Sequence, residues 1–108
     1  MNDYKIKNII RRVISEETTN IPIYFRRRFR PDEFERVLKI TLEYWINKRG
    51  QNMRDFLVNV INESIYGFFM AYHQEDPFDK NLADVYLLED FIHDKYGEYI
   101  KTYYIDNY

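Results

Sequence analysis

Arg26, Arg27, Arg28 and Arg30, broken only by Phe29 and preceded by Tyr24 and Phe25, are the densest concentration of chemistry in the chain. A guanidinium presents a planar fork of donors that fits a phosphate or a carboxylate two bonds at a time. A neighbouring ring can stack on a base or fill an apolar socket on a partner. Pro22 and Pro31 bias Ile21 and Arg30 toward extended backbone. Read as extended, the stretch puts Ile21, Ile23, Phe25, Arg27 and Phe29 on one face and Tyr24, Arg26, Arg28 and Arg30 on the other. Same-side arginines would then stand about 6.5–7 Å apart, near the step from one phosphate to the next. A structural reading competes with this one. Asp32, Glu33 and Glu35 follow at once, and a basic segment in a folded chain often pairs with acids of its own or of a protein partner.

The C-terminal third carries the opposite charge. Asp90, Asp94 and Glu98 recur every four residues and line one strip of a helix, with Glu75, Asp76, Asp79, Asp84 and Glu89 before them. Such a strip is the wet face of an ordinary helix, or an imitation of nucleic acid offered to a protein that binds one. Glu89 and Asp90 stand four and three residues before His93, a spacing used by helical metal sites. A di-metal bundle needs a second carboxylate-x-x-His motif, and the chain has none. No metal or cofactor is therefore expected. Catalysis finds no footing either: there is no cysteine, only Gly50, Gly67 and Gly97 could shape a phosphate loop, and Ser15 and Ser64 fall within predicted helices.

The elements that must position these residues read as helices. Met53–His73 spaces Met53, Phe56, Leu57, Val60, Ile61, Ile65, Phe68, Phe69 and Tyr72 as one broad apolar face, about 30 Å long. Phe34, Val37, Leu38, Thr41, Leu42, Trp45 and Ile46 form a second stripe, over residues 32–48. Pro31 stands at its first turn, and Gly50 is expected to stop it in the left-handed conformation. With Asn52 as a cap for the next helix, the short link makes the two helices antiparallel neighbours. Ile6, Ile9, Ile10, Val13 and Ile14 predict a first helix over 4–17. Val85, Leu88, Phe91, Ile92, Tyr96, Tyr99 and Tyr103 predict a last one, over 80–96 or beyond. Gly97 could end that helix, and 99–105 could instead pair with 21–29 as short strands.

The sequence thus predicts a single all-α domain over 1–108, a small four-helix bundle. A non-helical basic arm (18–31) lies between its first two helices, followed by the hairpin (32–73) and an acidic C-terminal helix and tail (74–108). Residues 1–54 hold 13 Lys and Arg against 7 Asp and Glu, and residues 74–108 hold 3 against 9, so a net charge of −2 conceals a basic half and an acidic half. Those halves face each other within the fold, across a dimer, or toward different partners. The chain has 11 Tyr, 8 Phe and 1 Trp, residues that favour interfaces as well as cores. No membrane-spanning run and no signal peptide are expected, since Met1–Lys7 is polar and the most apolar window carries Asn59, Asn62 and Glu63.

The expectation is therefore a non-enzymatic interaction, assembly or regulatory module of the cytoplasm or of a virus particle, with a composition suited to a phage or mobile-element protein. It would bind a protein partner or itself through Tyr24, Phe25, Phe29, Trp45, Tyr103 and Tyr104, anchored by Arg26, Arg27, Arg28 and Arg30. The alternatives are nucleic-acid binding by Arg26–Arg30 and an acidic mimic of nucleic acid.

Overall fold

The computed structural model describes residues 21–108, so the helix expected over 4–17 and the first residues of the arm lie outside the described residues. The described chain is all helix and turn: α1 Ile23–Arg28, α2 Pro31–Ile46, α3 Met53–His73, a 3₁₀ turn Pro77–Asp79, and α4 Leu82–Asn107. It is an all-α, bundle-like domain, as the apolar stripes require.

Helix α3 is the common partner. Phe56, Val60, Ile65, Phe68 and Phe69 on it are essentially inaccessible, and α2 and α4 cover them. Asn52 caps α3 by accepting a hydrogen bond from the Asp55 amide at 2.8 Å. Helix α2 runs antiparallel to it. Val37, early in α2, lies against Gly67, late in α3, where an added Cβ would sit 3.1 Å from Val37 Cγ1. Gly67 therefore permits the close approach of the two helices. Helix α4 runs alongside α2, with Phe34 and Tyr96 rings 5.2 Å apart, and antiparallel to α3, with Phe56 and Tyr104 rings 5.2 Å apart.

Helix boundaries follow local chemistry, with two departures from expectation. Helix α2 ends at Ile46 rather than 48, and Gly50 adopts φ +80° inside the connection instead of directly capping the helix. The left-handed residue that ends α3 is Gln74, φ 54°, and Glu75 N–H donates back to Phe69 O at 3.2 Å. Gly97 does not end α4: Tyr96, Ile100, Tyr103 and Tyr104 continue the apolar stripe past it, so 99–105 is helical and not a strand.

The arm is the main correction. Residues 21–30 are not an extended segment on the surface, because Ile23–Arg28 is helical. Ile21, Phe25 and Phe29, four residues apart, all face inward, with Phe25 0% and Phe29 7% exposed. A six-residue helix has little stability of its own. Phe25 packs edge-on against Phe69 at 5.3 Å, and Phe29 meets Phe91 at 5.6 Å, so aromatic burial holds the turns in place.

Candidate functional site

At the α1 end of the bundle Tyr24 and Arg28, two of the expected interaction residues, are already engaged. The Tyr24 hydroxyl donates to Glu75 Oε2, and Arg28 Nε reaches the same oxygen at 3.1 Å. The Arg28 guanidinium lies 3.7 Å from the centroid of the Tyr24 ring, and Lys80 Nζ approaches that ring to 4.8 Å. His73 Nε2 lies 2.8 Å from Arg28 O, and Arg28 also donates to Tyr24 O at 3.0 Å. The Tyr24 hydrogen bond, together with the charges of Arg28 and Lys80, outweighs partial desolvation and holds the Glu75 carboxyl below its ordinary value. Arg30 donates to Arg27 O at 3.2 Å and to Phe29 O at 3.1 Å, while Arg26 is half-buried and Arg27 exposed. Phe25 and Phe29 are core residues, a correction to their expected role as interface residues: neither ring is available to stack on a base.

The opposite end of the bundle gathers Trp45 and Tyr104, two of the residues singled out from sequence, around the α2–α3 connection. Gln51 is the hub. Its backbone carbonyl accepts from the Tyr104 hydroxyl at 3.0 Å, and its side-chain amide donates to Trp45 O. Gly50 N–H donates to the Tyr108 hydroxyl at 3.0 Å, and the Tyr104 and Tyr108 rings stack at 4.6 Å. Burial, and secondarily Tyr108, push the Tyr104 phenol upward. Tyr103 packs half-buried against the core beside them.

These contacts shape a notch of about 350 Å³ lined by Trp45, Lys48, Arg49, Arg54 and Val58, with Asp55 as its one carboxylate among the described residues. Lys48, Arg49 and Arg54 are exposed and form no ion pair with a described residue. Lys48 Nζ lies 4.5 Å from the Tyr44 ring, which itself meets Trp45 edge-on at 5.5 Å. Trp45 Nε1 and Gln51 Oε1 are enclosed without a hydrogen-bond partner among the described residues. The notch thus combines an indole with three cations that form no ion pair with a described residue, a combination suited to a carboxylate or phosphate attached to some apolar surface. Lys48, Arg49 and Arg54 belong to none of the motifs singled out from the sequence. The available signal was three cations within seven residues of a predicted tight connection, directly after the only tryptophan.

The remaining candidates resolve differently. Asp90, Asp94 and Glu98 do form an exposed strip on α4. Glu89 and His93 line a shallow α3–α4 cleft with Asn62, where burial, and secondarily Asp90, raise the Glu89 carboxyl above its ordinary value. Among the described residues no three His, Asp or Glu side chains converge in a way that could hold a metal ion. Tyr96 is buried between α2 and α4 with its hydroxyl unpartnered among the described residues, and burial, Glu35 and Asp32 all raise its phenol. No described helix is long and apolar enough to cross a membrane. Comparison with protein-family models, with curated proteins and with solved structures finds no match, so the geometry of the chain itself has to carry the functional reading.

Proposed function

We propose that the chain is a non-enzymatic protein-interaction module that docks an acidic partner against the hairpin end of its bundle. The notch carries this reading: Lys48, Arg49 and Arg54 line one concave site with Trp45 and find no counter-charge among the described residues beyond the single lining acid Asp55. Arginine and tryptophan are the side chains most often found at the energetic centre of protein interfaces. An acidic protein segment suits the site better than a nucleic acid. The Phe25 and Phe29 rings, which would stack on bases from the arm, are buried.

Trp45 is the only tryptophan, so its emission reports on the site directly. Titration with a glutamate-rich peptide is expected to change that emission saturably, with an effect that weakens as salt is added and is absent in Lys48→Glu/Arg54→Glu. Silence at low salt would end the proposal. Binding of a DNA oligonucleotide, with no response to the peptide, would replace it by the nucleic-acid reading.

A further inference from the structure

We infer that the acidic partner of the notch is a second copy of this chain, presenting the outer strip of its α4; the inference rests on the docking function proposed above. Along that strip Leu87, Asp90, Asp94, Glu98 and Ile105 follow one another at helical spacing on the solvent side. The Asp94 and Glu98 side chains are 88% and 93% exposed. Leu87 and Ile105 are 47% and 66% exposed. The strip is therefore a row of carboxylates with apolar side chains at both ends and one cation, Lys101, between Glu98 and Ile105.

The notch is its complement. Lys48, Arg49 and Arg54 answer the carboxylates, while half-buried Trp45 and exposed Val58 offer apolar surface to a residue such as Leu87. Asp90 has no ion pair among the described residues, Asp94 meets only His93 Nδ1 at 4.0 Å, and Glu98 has only Lys101 at 3.8 Å. None of the described ion pairs joins the strip to the notch within one chain. Among the described residues neither surface is paired with the other within one chain, and each copy carries both. Two copies that use both contacts close as a dimer; copies that use one each leave a free notch and a free strip and grow further.

Sedimentation velocity across protein and salt concentration tests this on the intact chain. Association is expected at low salt and should weaken at least about tenfold toward about 1 M salt, where charges more than ~3 Å apart are screened. Two charge reversals then identify the surfaces: Lys48→Glu/Arg49→Glu/Arg54→Glu in the notch and Asp90→Lys/Asp94→Lys/Glu98→Lys on the strip. Each variant alone should sediment as a monomer, and an equimolar mixture should associate again, because a reversed notch fits a reversed strip. Circular dichroism on each variant separates lost association from lost folding, and the wild-type salt series needs no variant. A wild type that stays monomeric at low salt, an association indifferent to salt, or folded variants whose mixture stays monomeric would overturn the inference. If the wild type is monomeric yet the glutamate-rich peptide still moves Trp45 emission, only the self-association fails; if neither occurs, the docking function fails with it.

Discussion

The two ends of the bundle are built from the same ingredients, arginines beside aromatic rings, and use them in opposite ways. At the α1 end, Phe25 and Phe29 turn inward and Arg28 is spent on Glu75 and on the Tyr24 ring, so Arg26, Arg27 and Arg30 keep no ion pair to a described residue but lose the two phenylalanine rings beside them to the core. At the hairpin end, Lys48, Arg49 and Arg54 line one notch with a half-buried indole and meet no described acid as an ion pair. The difference teaches that the density of charge along a chain says little about its availability. Counter-charge and burial, both set by neighbours distant in sequence, decide what is left to bind.

Substitutions can break this contrast in measurable ways. The largest effect is expected at the α1 end. Phe25→Ala empties a fully buried ring site against Phe69 and should cost about 3–5 kcal/mol in urea unfolding, a loss no surface arm would show. Gly50→Ala acts at the hairpin end through backbone alone. A Cβ there meets nothing within 4 Å, so the cost comes from φ +80° and should be about 1–2 kcal/mol by the same measurement.

The third test concerns the Tyr24–Arg28–Glu75 contact and is read from pH dependence. The folded Glu75 carboxyl lies below its ordinary value of 4.5, so the unfolded chain takes up this proton more readily. Its stabilising contribution is present above that ordinary value and is lost as pH falls through the lower folded value. Unfolding midpoints followed into acid should therefore drop less steeply in Glu75→Gln than in wild type. Glu89 runs the other way: its raised value favours the fold in acid, and that contribution fades as pH rises through it. The smallest effect on stability is expected for Lys48→Glu/Arg54→Glu, within about 0.5 kcal/mol by thermal denaturation, even though peptide binding is lost. A large destabilisation there would mean that the notch cations serve the fold, and the contrast between the ends would disappear.

Much of the architecture was legible because it is written locally. The stripes of 34–46, 53–73 and 85–103 each encode a helix and most of the face it buries, Tyr72 and Tyr99 being exposed, and Asn52 before Met53 marks a cap that forms as expected. The arm was illegible for a specific reason. Ile21, Ile23, Phe25, Arg27 and Phe29 satisfy a two-residue period, while Ile21, Phe25 and Phe29 also satisfy a four-residue one, and both fit between the same two prolines. Phe68, Phe69 and Phe91 choose the helical solution, because only it brings both Phe25 and Phe29 onto their rings. The site was half legible. Trp45 and Tyr104 stood out as large aromatic residues, but their meeting through Gln51 depends on where two helix ends arrive.

By itself, the sequence determined that the chain is helical, which face of each long helix is buried, and that basic and acidic residues concentrate in different halves. Those properties follow from side-chain period and composition, which need no knowledge of neighbours. Only the tertiary structure decided which cations remain available. Glu75 reaches Arg28 across 47 positions of chain, and a pairing of that kind is fixed by how helices pack rather than by any local pattern.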